Sequence, residues 1–182
     1  MTDVLIVHGV DGCPEENWFP WLKEELESLG CNVIVPQFPT PEDQTLDNWM
    51  KILDKYRSRF NGDSILVGHS LGVSFLLNVL EKNKAKAAFL VAGFTGKIGH
   101  EFDENMKTFA QREFKWNVIR DNCRDFFVFY SDDDPYVKTY KARVLSEKLG
   151  VNATLVRGAG HFNSASGYTK FELLLENIRD VL

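Results

Sequence analysis

The chain has 182 residues, 44% of them hydrophobic and 26% charged, with a formal net charge of −5. That length suits one soluble globular domain spanning 1–182 with a sizeable core, and an acidic balance without any Lys/Arg cluster excludes a nucleic-acid partner. Cys13, Cys31 and Cys123 are odd in number, widely spaced and free of any Cys-x-x-Cys pair, which excludes a disulfide framework and a cysteine zinc site and predicts reduced thiols in a cytoplasmic protein.

The first element is a strand over 4–8. Its apolar run, Val4-Leu5-Ile6-Val7, has four residues with no basic stretch before it, too short for a signal peptide or a membrane span. Further strand-like runs fall at 32–35, 64–67, 87–92, 126–130 and 153–156. Helical periodicity fills the gaps. Trp18, Trp21, Leu22, Leu26 and Leu29 recur at i, i+3, i+4 and predict a helix over 18–29, closed by Gly30. Trp49, Ile52, Leu53, Tyr56 and Phe60 predict another over 46–60, after a proline-rich loop at 36–41. Residues 71–80 are apolar nearly all round, as in a helix buried against the centre of a sheet. Helices over 140–149, ending at Gly150, and 169–182 complete the chain. Strands alternating with helices predict an α/β fold, a doubly wound three-layer sandwich of about six parallel strands. No repeat, low-complexity tract or domain linker interrupts it. The long connection 94–122 carries Phe102, Phe109, Phe114 and Trp116. It is either a helical connection packed on the sheet edge or a segment covering the active site.

The chain is organised around Ile65-Leu66-Val67-Gly68-His69-Ser70-Leu71-Gly72, where a strand passes into a helix without a loop. In that context Gly-x-Ser-x-Gly is a nucleophile elbow. The serine is held in a strained conformation, and Gly68 and Gly72 lack the Cβ atoms that would keep strand and helix apart. Ser70 then stands at the carboxyl edge of the sheet, beside the Leu71 amide at the start of the helix, a donor suited to an oxyanion. The turn His8-Gly9-Val10-Asp11-Gly12 after the first strand supplies a second oxyanion amide, from Val10.

Ser70 needs a base and the base an orienter. After the fifth strand comes Ser131-Asp132-Asp133-Asp134-Pro135, and after the sixth Gly158-Ala159-Gly160-His161. Both lie at carboxyl ends of strands, where ligand sites of open α/β sheets collect. The order Ser, Asp, His is that of the α/β-hydrolase fold. His161 is the candidate base, since His8 is a structural loop residue, His69 the variable elbow residue, and His100 lies solvent-facing in the long connection. Asp134-Pro135-Tyr136-Val137 resembles the Asp-x-x-Val pattern that follows the orienting acid in many α/β-hydrolases, which favours Asp134, with Asp133 as the alternative. No metal-ligand cluster is visible, and neither metal nor cofactor is expected.

With these residues the chain resembles the small cap-less serine hydrolases related to retinoblastoma-binding protein 9. The matching blocks include His8-Gly9, Asn17-Trp18-Phe19-Pro20-Trp21-Leu22, Pro36/Pro39, Trp49, the elbow, the Phe114/Trp116 pair, the run 131–135 and Gly160-His161-Phe162-Asn163. The resemblance implies a minimal α/β-hydrolase fold with strand order 2-1-3-4-5-6 and esterase- or amidase-type chemistry on small substrates. The first loop departs by reading Gly-Val-Asp-Gly where relatives can be richer in glycine. A Leu-x-Cys-x-Glu pocket-protein motif is absent, since Leu29-Gly30-Cys31-Asn32-Val33 ends in Val33, so retinoblastoma-protein binding is not expected.

The leading expectation is therefore a serine hydrolase acting on a small-molecule acyl ester. Ser70, Asp134 and His161 are its catalytic residues, Val10 and Leu71 its oxyanion donors, and Trp18, Phe19 and Trp116 its substrate-binding aromatics. The same residues could serve a thioesterase or an amidase/aminopeptidase. The rival from another class is a binding protein on a hydrolase scaffold.

Overall fold

A computed structural model describes all residues from Met1 to Leu182. Its strands are β1 (Asp3–Val7), β2 (Asn32–Ile34), β3 (Ile65–His69), β4 (Ala85–Val91), β5 (Cys123–Tyr130) and β6 (Ala153–Leu155). They form one 6-stranded sheet in the order β2-β1-β3-β4-β5-β6, parallel at every pairing. This is the expected doubly wound arrangement. Because all strands run the same way, the loops after β1, β3, β5 and β6 emerge at one edge. The chain leaves β1 and β3 toward opposite sides of the sheet, and a crevice opens between those two loops.

The central strands are apolar on both faces because helices cover both. In β1, Leu5 and Val7 enter one core while Val4 and Ile6 enter the other; in β4, Ala88 and Leu90 alternate with Ala87, Phe89 and Val91. This period of two is the pleat written in side chains. Helices α1 (Phe19–Ser28) and α7 (Glu172–Arg179) pack on the smaller core. The opposite face carries α2 (Leu46–Asp54), α3 (Leu71–Leu80), α4 (Asp103–Ala110), α5 (Trp116–Asn122) and α6 (Thr139–Leu149). Every residue of α3 is buried, which explains its nearly continuous apolar composition; Ser74 and Asn78 donate to the Phe94 and Phe109 carbonyls. Gly30 (φ 83°) and Gly150 (φ 76°) close α1 and α6 in the left-handed conformation that glycine accepts most readily. No helix is long and apolar enough to cross a membrane.

Several boundaries differ from the sequence expectation. The second helix stops at Asp54, where Tyr56 leaves helical geometry (φ −112°, ψ 5°) and a short 3-10 turn, Arg57–Arg59, follows. The last helix starts at Glu172, since Phe171 is extended in φ (−143°) and buried beneath it. The connection 94–122 is ordered into α4 and α5. Phe102, Met106, Phe109 and Ala110 follow the i, i+4, i+7, i+8 spacing of a helix, a signal present in the sequence and diluted by its polar neighbours.

Candidate active site

β3 ends directly in α3, and Ser70 at the junction has φ 54° and ψ −118°. A residue with a Cβ keeps such a conformation only when its surroundings hold it. The Ser70 amide donates to the Val91 carbonyl at 2.9 Å, tying the junction to β4. A Cβ on Gly72 would come within 2.4 Å of the Val7 carbonyl oxygen, and one on Gly68 within 3.0 Å of the Gly72 backbone. Both glycines are thus required by contacts with β1 and α3. Leu71 carries the first amide of α3, which has no intrahelical acceptor.

The turn after β1 lies against this junction, since a Cβ on Gly9 would meet Ser70 Cβ at 2.9 Å. The His8 ring is buried and holds the turn from inside. Its Nε2 accepts the Phe38 amide at 3.0 Å, so the ring proton sits on Nδ1 and is donated to the Gly9 carbonyl at 2.8 Å. Burial draws this imidazole below its usual range, against the opposing pull of the Gly9 carbonyl. In a trans peptide the C=O and N–H point oppositely, so anchoring the Gly9 carbonyl turns the Val10 N–H the other way. That N–H makes no backbone hydrogen bond.

The loops after β5 and β6 are fastened together by three consecutive aspartates. Asp132 accepts the Gly158 amide at 2.9 Å and faces Arg157; Asp133 accepts the Gly160 amide at 2.8 Å. Asp134 Oδ2 lies 2.8 Å from His161 Nδ1, while its Oδ1 accepts the Tyr136 and Val137 amides at 2.8 and 3.0 Å. The side chains of this His–Asp pair are only 10% and 3% exposed, so the contact is shielded from water. The Ser131 hydroxyl and the Gly160 amide hold the Asp133 carboxyl below the usual range. With Asp134 on Nδ1, Nε2 is the ring nitrogen of His161 left for other partners.

One cavity of roughly 380 Å³ brings these parts together. Ser70, His161, Val10 and Gly9 line it, and so do Ile98, Phe102 and Met106 from the connection after β4. Its charged lining is Asp11 and Glu16, with no lysine or arginine. Burial, with Asp11 nearby, pushes the Glu16 carboxyl up against the hydrogen bonds it receives from Cys13 and Asn17.

The aromatics expected to bind substrate, Trp18, Phe19 and Trp116, do not line this cavity. Trp18 and Phe19 are fully buried. Trp18 Nε1 donates to the Phe162 carbonyl at 3.0 Å, so the indole anchors the loop carrying His161. Phe19 packs edge-on against Trp18 and His69. Trp116 lines a separate depression with Phe114, Arg112 and Val144. Trp18 and Phe19 enter the core at the start of α1, and Trp116 lies half-buried against the opposite core at the start of α5. His100, expected in solvent, lies at the cavity, tilted against Phe102 and edge-on to Tyr136. Tyr136 in turn meets the His161 ring edge-on at 5.0 Å. His69, read as a variable elbow position, is buried and hydrogen-bonded to the His161 carbonyl. Nothing in its sequence neighbourhood signalled that contact.

A family model described as serine hydrolase matches residues 4–179. YdeN of Bacillus subtilis (strain 168) is 27% identical over 177 residues, which is 95% of this chain and 92% of that protein. The crystal structure of the ydeN gene product superposes with a TM-score of 0.92 at 25% identity, covering 100% of this chain and 98% of that one. Serine hydrolase RBBP9 of Rattus norvegicus is 24% identical over 184 residues, 100% of this chain and 96% of the relative.

Proposed function

The chain belongs to the serine hydrolase family, and from that premise we propose that it hydrolyses small carboxylic esters through Ser70, His161 and Asp134. The observation that supports this assignment is the sharing of one cavity by Ser70 and His161, with His161 Nδ1 engaged by Asp134 at 2.8 Å. His161 Nε2 takes the Ser70 proton as Oγ attacks the acyl carbon. The amides of Leu71 and Val10, neither committed to a backbone acceptor, receive the oxyanion at the positive end of α3. His161 then protonates the departing alcohol, and water activated by the same nitrogen clears the acyl-enzyme. Asp134 keeps the proton on Nδ1 throughout and stabilises the imidazolium. Ser70 Oγ and His161 line the cavity without a hydrogen bond between them, and such contacts tighten in Michaelis complexes.

The apolar wall of Val10, Ile98, Phe102 and Met106 takes the acyl chain. In this reading the first half of the connection 94–122 replaces the inserted cap of larger relatives as a fixed wall, while α5 is packing. A cavity of roughly 380 Å³ suits a short acyl group with a small alcohol.

The test is labelling with a fluorophosphonate, followed by turnover of matched short-chain esters, thioesters and aminoacyl amides. Ser70→Ala abolishes both label and turnover while leaving the fold intact. His161→Ala does the same, and the double variant is no worse than either single one, because such residues act as a unit. Near-wild-type ester turnover in Ser70→Ala refutes the assignment. Faster turnover of thioesters or amides than of esters moves the substrate class and keeps the residues.

A further inference from the structure

The two sides of the cavity are joined by one polar relay outside the proposed catalytic groups. The Asp11 amide donates to Thr40 Oγ1 at 2.8 Å, the Thr40 hydroxyl donates to Gln44 Oε1 at 2.6 Å, and Gln44 Nε2 donates to the Asn105 carbonyl at 3.1 Å. The relay runs one way. A hydroxyl has a single proton, and Thr40 gives it to Gln44, so it meets Asp11 as an acceptor. Gln44 is 5% exposed, and its carboxamide is satisfied by these two partners in place of water. One end of the relay is the turn that carries Val10; the other is the first turn of α4, where Asn105 precedes the cavity-lining Met106.

Asp11 has φ 55°, a left-handed conformation that aspartate tolerates at some cost in backbone strain. The His8 ring fixes the peptide unit before Val10, and the Thr40 hydroxyl fixes the one after it. We propose that Thr40 and Gln44 are positioning residues that set the Val10 amide against the Phe102–Met106 wall. They thereby fix both oxyanion stabilisation and acyl-chain selectivity. This rests on the reading of Ser70 as nucleophile and Val10 as oxyanion donor.

The experiment compares wild type, Thr40→Val, Thr40→Ser, Gln44→Leu and the Thr40→Val/Gln44→Leu double variant, using p-nitrophenyl acetate and hexanoate and the rate of fluorophosphonate labelling. Thr40→Val should lower kcat for the acetate about ten-fold, the loss of one aligned hydrogen bond. Its KM should move less than about two-fold, since the effect falls on the transition state. The acetate-over-hexanoate ratio should change with it. Thr40→Ser should restore both quantities, Gln44→Leu should reproduce Thr40→Val, and the double variant should be no worse than either single one. Variants that melt earlier but keep wild-type kcat and chain-length ratio overturn the proposal, as does failure of Thr40→Ser to restore them. If Gln44→Leu does not fold, the near-isosteric Thr40→Val and its serine rescue decide alone. A wild-type protein unlabelled at Ser70 overturns the hydrolase reading and this proposal with it. A labelled wild type with unaffected variants overturns only the proposal.

Discussion

His69 Nε2 lies 2.8 Å from the carbonyl oxygen of His161, so the residue preceding the proposed nucleophile holds the loop that carries the proposed base. The partner is a carbonyl, so Nε2 is the protonated nitrogen. Nδ1 is left as a buried acceptor with no hydrogen bond. The ring is closed in by Trp18, Phe19 and His161. Burial, with the adjacent His161, pulls the imidazole down to about 3.

Stability should therefore fall with acid well before the carboxylates titrate. Below about pH 6.5 the unfolded chain protonates His69, while the native protein resists until about 3. The unfolded state binds more protons in that window, so each unit of falling pH costs about 1.4 kcal/mol from this residue. His8, held below its usual range by burial, adds in the same direction. Urea denaturation at about pH 7, 6 and 5 reads the slope, and His69→Gln should flatten it. A wild-type stability independent of pH across that range contradicts the account.

The three aspartates should separate in kinetics. Asp134→Asn removes the acceptor that holds the His161 tautomer and should lower kcat by about 10³- to 10⁴-fold with little change in KM. Asp133→Asn disturbs only the Ser131 hydroxyl and Gly160 amide contacts, away from the His161 ring, and should cost about ten-fold or less. The reverse ranking would move the orienting role one residue upstream.

Chain-length preference should follow Phe102 and ignore Trp116. Phe102 lines the cavity with Ser70, and Trp116 lies in a separate depression against Phe114. Phe102→Ala should raise KM for short esters and favour longer acyl groups. Trp116→Ala should leave that preference intact and cost about 2 kcal/mol of stability, as loss of a half-buried aromatic. Steady-state kinetics on a graded ester series, beside thermal melts, separates the two.

Charge should also discriminate among substrates. Asp11 and Glu16 are the charged lining of the cavity, so esters bearing a carboxylate should turn over more slowly than neutral isosteres of equal size. The gap should narrow as salt is raised, because screening shortens the reach of the two carboxylates. Equal rates at low ionic strength count against any electrostatic role for this pair.

Much of the fold was legible in the chain because it is encoded locally. Alternation in β1 and β4 and the apolar run of α3 are spacings of two and 3.6 residues, readable without any long-range contact. The glycines around Ser70 were legible for the same reason: a strand passing into a helix without a loop leaves no room for Cβ atoms at Gly68 and Gly72. The parallel alternation by itself places Ser70, the aspartate run and His161 at strand ends on one edge of the sheet. What only the tertiary structure decided depends on contacts between segments far apart in sequence. Asp132, Asp133 and Asp134 are chemically identical neighbours, and the path of the loop after β6 determines that Asp134 meets His161 while Asp133 meets Gly160. The placement of Trp18, Phe19 and Trp116 is not legible in the sequence, because an aromatic beside a strand end reads the same whether it faces a cavity or a core. The facing is set by how α1 and α5 lie on the sheet, a property of packing between distant residues such as Trp18 and Phe162.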